Sequence, residues 1–233
     1  MHARGFASPE EKGVRATPYA KAELFLTRPL RPGDEITSVV RLEDKYERRN
    51  SQFITWRTHA VDARGVAVLE YTYTIIWSQG AREPGVQSSP AAASTPASGS
   101  DVRGEALPGL TKLESQAAID RYAELTRVRP RRGSSLHSDE GFARRTIFGG
   151  TVNMGVATLA YCSEVLESAF GPAPMLRPGA RLEFKGIRPV RAGDEITLNG
   201  WVVERSNGQV QCDLTVHNQA LTLVGVANAT LIL

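Results

Sequence analysis

Apolar and polar residues alternate with a period of two through most of the chain, the pattern of half-buried strands. In the first part the strand-like runs are Ala22 to Thr27, Glu35 to Arg48, Gln52 to Val61 and Val66 to Trp77. After residue 180 the same rhythm returns in Arg181 to Ile187, Glu195 to Arg205, Gln209 to His217 and Leu221 to Leu233. Val66 to Trp77 is dense in β-branched and aromatic residues, which suit a pleated surface. Arg49-Asn50, Ala63-Arg64-Gly65 and Ser206-Asn207-Gly208 separate the runs with turn chemistry, the last an Asn-Gly hairpin signal. Two antiparallel meanders are predicted.

Helical spacing dominates one segment. From Thr151 to Ala169, Val152, Val156, Leu159 and Leu166 fall on one stripe, and Gly155, Ala157 and Ala160 permit a sheet to approach closely. Gly171 and Pro172 terminate it. A shorter helix is predicted over Gln116 to Leu125, capped by Ser115. The residues preceding the first meander are too polar and too broken by Gly and Pro to supply a comparable buried helix.

The two parts are related. Arg28-Pro-Leu-Arg-Pro-Gly-Asp-Glu-Ile-Thr37 matches Arg188-Pro-Val-Arg-Ala-Gly-Asp-Glu-Ile-Thr197 at an offset of 160, with eight of ten positions identical. Two copies indicate a duplication, not a solenoid. Between them, Gln79 to Ala106 lacks aromatic residues, Leu and Ile and is dense in Ala, Ser, Pro and Gly, so a flexible linker is expected. The organisation read from this is a degenerate first half over 1–78, a linker over 79–106 and a complete second half over 107–233.

Composition narrows the chemistry. Two cysteines, Cys162 and Cys212, exclude a disulfide scaffold or a Cys-rich zinc site, and a charge of +3 gives no case for nucleic acid. No apolar run reaches the roughly 20 residues of a membrane span, and Met1 to Ala20 has no apolar core of a secretory leader. A cytoplasmic globular protein without metal, cofactor or membrane partner is expected.

A long apolar helix wrapped by an antiparallel meander is the hotdog pattern. Tyr122-Ala-Glu-Leu-Thr126, Leu136-His-Ser-Asp-Glu-Gly-Phe-Ala-Arg144, Phe148-Gly-Gly-Thr-Val-Asn-Met-Gly155 and the Arg188 to Thr197 repeat resemble the MaoC-like (R)-specific enoyl-CoA hydratases and dehydratases. The resemblance implies an α+β double hotdog: an antiparallel sheet around a long helix in the C-terminal half, beside a degenerate N-terminal half whose lost helix leaves room for an acyl chain. The strands of both halves are expected to form one sheet.

It also implies the site. His137 occupies the place of the family's catalytic His and Asp139 that of the second Asp of its motif, while Gly155 matches the Gly whose N–H faces the thioester oxygen. Adding water to a conjugated thioester needs a base on the water and a donor at the oxygen where charge develops. Arg132 stands where the first catalytic Asp is expected, and Ser134-Ser135 replaces Asn-Pro. Ser134 is a candidate for orienting water; Arg132, Gly150 and Asn153 are candidates for substrate contact, and the arginines at 127, 129, 131 and 132 for phosphates or a carboxylate. Asp139 equally suits the N-cap of a short helix Glu140 to Arg144, and Gly155 a close packing contact.

The implied activity is hydration or dehydration of a 2-enoyl thioester carried by coenzyme A or an acyl carrier, by a homodimer. Two alternatives stay open: a hotdog thioesterase, for which Glu164 or Glu167 is a candidate carboxylate, and a non-catalytic acyl-binding subunit.

Overall fold

The computed structural model describes residues 17–79, 104–126 and 135–233. Among these residues nine strands form one antiparallel sheet: β1 (Tyr19–Leu26), β2 (Ile36–Arg48), β3 (Ser51–Asp62), β4 (Ala67–Gln79), β5 (Leu110–Leu113), β6 (Arg181–Gly186), β7 (Glu195–Ser206), β8 (Gln209–Asn218) and β9 (Leu223–Ile232). Their order is β2-β3-β4-β1-β6-β9-β8-β7-β5. Leaving β5 aside, that order reads as one meander and its repeat, joined back to back through β1 and β6.

The join has two-fold character. Glu23 stands opposite Glu183, its own counterpart at the 160-residue offset, with Lys21 opposite Lys185 and Phe25 opposite Arg181. A residue facing its own duplicate is the signature of a two-fold axis. Two facing carboxylates would repel, but Lys21 reaches Glu183 at 2.6 Å, Lys185 reaches it at 2.9 Å, and Arg181 holds Glu23 at 2.8 Å. The repeated decapeptides also adopt one geometry. Gly33 and Gly193 have φ of +93° and +94°, a conformation that side chains disfavour. The following Asp34 and Asp194 each accept the N–H three residues earlier, from Arg31 at 3.0 Å and Arg191 at 2.7 Å.

Strand boundaries follow the alternation to within a few residues, and the hairpin residues Arg49, Asn50 and Asn207 all have positive φ. The expected linker is shorter at both ends. β4 runs through Gln79, while the Val202 N–H donates to the Glu105 carbonyl at 2.9 Å and Ala106 bridges Trp201. The rest of the linker lies outside the described residues.

Among the described residues four helices accompany the sheet: α1 (Gln116–Leu125), α2 (Glu140–Arg144), α3 (Gly155–Phe170) and α4 (Ala173–Leu176). Ser115 caps α1 through the Ala118 N–H at 3.1 Å, and Gly171 closes α3 at φ +75°. The start of α3 needs correction: it lies at Gly155, not Thr151. Val152 belongs to an extended segment that bridges Arg191, and the buried stripe of the helix is Ala157, Thr158, Cys162, Val165 and Leu166. Val156 and Leu159, expected on that stripe, are only partly buried. Among the described residues no helix is long and apolar enough to cross a membrane.

Cys162, Val165 and Leu166 of α3 share one buried core cluster with Leu182, Phe184, Ile196, Leu198, Leu214 and Val216 of the sheet. Each such side chain contributes roughly 1.5–3 kcal/mol, an upper estimate because unfolded chains already bury some surface. Ala22 pairs with Phe184 and Leu24 with Leu182, so cross-strand register carries this inner face into the first half. There it continues through Tyr71, Tyr73, Trp56, Thr58, Val40 and Leu42. Its outer part is open, with Val40 and Leu42 exposed at 57% and 38%. The opposite face carries charge instead, with Arg57 between Glu43 and Glu70.

Candidate functional site

The segment from Ser135 to Gly155 is threaded between α1 and the start of α3. His137 donates its backbone N–H to Ser135 Oγ at 3.1 Å, and its carbonyl accepts Gln116 Nε2 at 2.7 Å. Its ring Nδ1 lies 2.8 Å from the Val152 carbonyl oxygen. A carbonyl can only accept, so Nδ1 carries the proton, and in the neutral ring Nε2 is left with a lone pair. The Val152 N–H donates to the Leu136 carbonyl at 3.2 Å, which closes the two strands of the segment around the ring.

Gln116 ties this segment to α1. Its Oε1 accepts Thr151 Oγ1–H at 2.6 Å, so one amide holds both the His137 and Thr151 backbones in place. The Thr151 N–H donates to Glu140 Oε2 at 3.0 Å. Arg144 at 2.7 Å, with that Thr151 N–H, holds the Glu140 carboxyl below its ordinary range. Asp139 caps α2, its carboxylate accepting the Phe142 N–H at 2.8 Å. Asn153 is buried, with Nδ2 donating to Thr158 Oγ1 at 2.9 Å and its backbone N–H to the Val190 carbonyl at 2.9 Å. Both contacts fix the approach to α3. Gly150 faces a polar cleft of about 430 Å³, lined also by Ser138, Thr151 and Arg191. Ser134 and Arg132 lie outside the described residues.

Gly155 opens α3, where N–H groups lack intrahelical acceptors. A methyl group there would come within 2.4 Å of Tyr19 Cδ1 and 2.9 Å of Tyr19 Cβ. The glycine therefore lets the Tyr19 ring of β1 lie on the helix start, joining the first half to the site. Periodicity gives no warning of this contact, because Tyr19 is 136 positions away in the chain. Gln116 was equally silent, being an ordinary polar residue at the start of a helix.

The carboxylates considered for hydrolysis lie elsewhere. Glu164 pairs with Lys112 at 2.8 Å, and Glu167 is exposed further along α3. Among the described residues no cluster of His, Cys, Asp and Glu could hold a metal ion.

A curved antiparallel sheet around one long helix, with a histidine loop at the helix start, defines a hotdog protein. Residues 133–223 match the family model of the MaoC like domain. Solved structures agree on the fold. A MaoC-like dehydratase superposes with a TM-score of 0.73 at 17% identity, over 93% of this chain and 75% of that one. HtdX from Mycobacterium tuberculosis gives 0.64 at 19%, over 91% and 76%. The full-length peroxisomal multifunctional enzyme type 2 from Drosophila melanogaster gives 0.67 at 15%, over 92% and 37%. No curated protein matches by sequence. The fold is thus a MaoC-like hotdog.

Proposed function

We propose that the protein is a hydratase/dehydratase of 2-enoyl thioesters, with His137 as general base and the Gly155 N–H as donor to the thioester oxygen. The observation that carries this reading is the 2.8 Å bond from His137 Nδ1 to the Val152 carbonyl, three residues before α3. It puts the proton of the neutral ring on Nδ1, which makes Nε2 its basic nitrogen, in the segment that leads into α3. The match of residues 133–223 to the MaoC like domain supports the reaction class.

In the forward direction Nε2 takes a proton from water as its oxygen bonds to C3 of the acyl group. Electron density moves through C2 to the thioester oxygen, where the Gly155 N–H and the first turn of α3 stabilise it. The proton held by His137 then returns to C2, directly or through solvent, so that H and OH are added and His137 is regenerated. Dehydration is the reverse. The inner face of the first half, with Trp56, Tyr71 and Tyr73, supplies the wall for the acyl chain, and the resemblance to the (R)-specific enzymes favours the (R)-3-hydroxy product. Of the two carboxylates considered for hydrolysis, Glu164 is ion-paired with Lys112 and Glu167 is exposed further along α3.

The test is loss of the conjugated enoyl absorbance with a panel of trans-2-enoyl-CoA thioesters, with chiral analysis of the product. His137→Ala is expected to lower turnover by roughly 10²–10⁴ while thioester binding persists. Undiminished turnover in that variant, or release of free thiol in place of hydration, refutes the proposal.

A further inference from the structure

Tyr19 and Tyr71 come from neighbouring strands, and their hydroxyl oxygens lie 3.0 Å apart. Burial holds both phenols above their ordinary range, most strongly Tyr19, where Tyr71 adds to the effect. Both are therefore protonated at neutral pH. Two phenols carry two protons, and the bond between them uses one. The second proton has no acceptor among the described residues.

The surroundings of that spare donor are specific. The Tyr19 ring lies on Gly155, at the start of α3. Tyr73 stacks on Tyr71 with ring centroids 5.8 Å apart, and Trp56 is the partner of Tyr73 across the β3–β4 register. The hydroxyl pair thus interrupts an aromatic wall that begins at the start of α3, with Tyr122 of α1 near enough to act on both phenols.

We infer that the Tyr19–Tyr71 pair recognises an oxygen atom in the acyl group, so that the preferred substrate is a thioester bearing an ether, oxo or hydroxyl oxygen along its chain and not a plain alkyl chain. This inference rests on the thioester reading above. In the free protein solvent accepts the spare proton. An all-carbon chain lying against the wall displaces that solvent and leaves a buried donor unpaired, whereas an acyl oxygen replaces the lost acceptor. Sites built around such donors discriminate strongly against analogues that lack the matching group.

The experiment uses saturated acyl-CoA thioesters of one length in which each methylene from C4 to C8 is replaced in turn by an ether oxygen. Calorimetric binding to the full chain is compared with the all-carbon parent ligand. One or two positions are expected to bind about tenfold more tightly, the worth of one well-placed hydrogen bond. That advantage should vanish in Tyr19→Phe/Tyr71→Phe, which removes both donors, keeps both rings on Gly155 and Tyr73, and should bind the all-carbon chain as well as or better than the parent protein does. A thermal melt shows whether the double variant is folded. Should it not be, Tyr71→Phe alone is used: it leaves one hydroxyl without its positioning partner and is expected to reduce the advantage.

Equal binding at every position, or a tenfold advantage that survives the loss of the hydroxyls, overturns the inference. Preference for an oxygenated chain without hydration of the matching enoyl thioester sinks the hydratase reading alone. Hydration without preference sinks only the recognition. Absence of binding by every thioester removes both.

Discussion

The contact between Gly155 and Tyr19 allows a quantitative test of how the halves are joined. In Gly155→Ala the added methyl meets Tyr19 Cδ1 at 2.4 Å, Cγ at 2.7 Å and Cβ at 2.9 Å. Relaxed carbon contacts need roughly 3.5–4.0 Å, so α3 or β1 must retreat by about 1 Å. The Tyr19 Cβ is held by the backbone of β1, and ring rotation alone cannot relieve the clash. Overpacking of this kind costs about 1–3 kcal/mol, against a gain in helix propensity of up to about 1 kcal/mol that is smaller at a first helical position. Net destabilisation is expected, at roughly 2–4 °C of Tm per kcal/mol for a chain of this size. The assay is a double-mutant cycle by urea unfolding with Tyr19→Ala. Removing the ring takes away the clash, so Gly155→Ala should cost little or nothing in that background, giving a coupling of about 1 kcal/mol or more. Additive losses in the cycle would refute the packing argument and leave the glycine to be explained by its N–H alone.

Two further expectations concern titration. Partial burial would raise the Glu183 carboxyl, but Lys21 and Lys185 outweigh it and hold the group below its ordinary value of 4.5. The stabilisation is then complete above that value and is lost as pH falls through the lowered one. Glu183→Gln should be about 1 kcal/mol less stable than the parent at pH 7 and converge with it in acid, and a pH-independent difference in urea midpoints would contradict this. Cys162 and Cys212 are buried, and burial pushes their thiols up to about 12 and about 11. Neither should react with iodoacetamide in the native protein at pH 7.5, while both should in denaturant; rapid native labelling of either would show that the core opens.

Much of the fold was legible because its signals are local. Alternation located eight strands, Asn207-Gly208 and Arg49-Asn50 marked the hairpins, and Ser115 marked the start of α1. Asp139 caps α2, one of the two roles its sequence context left open. Failures came where tertiary contacts create burial without periodicity. Thr151, Val152 and Asn153 are buried because the loop is wedged between Gln116, Arg191 and Thr158, and Val152 fell in step with the apolar stripe of α3. β5 was missed because four residues after Pro108-Gly109 are too few to display a period, and α4 because it is a single turn starting beside Pro172. At the site, His137 and Gly155 stood in a recognisable stretch, whereas the Tyr19–Tyr71 pair joins residues 52 positions apart that no local pattern connects.

The facing of Glu23 and Glu183 also bears on how this molecule can change. Where two identical chains meet on a dyad, every codon alteration appears twice, and both sides of the interface must tolerate it. Here the equivalent positions are encoded separately, so a single nucleotide change alters one side only. The turn after β3 illustrates the outcome: Asp62 accepts the Arg64 and Val66 N–H groups in one copy, while Asn218 accepts those of Ala220 and Thr222 in the other. Only the first carries a charge, and only there do arginines, Arg28 and Arg64, pair with it. Separate encoding thus releases the two repeats from a shared constraint, so that a turn or a pairing can change in one while the other keeps its own.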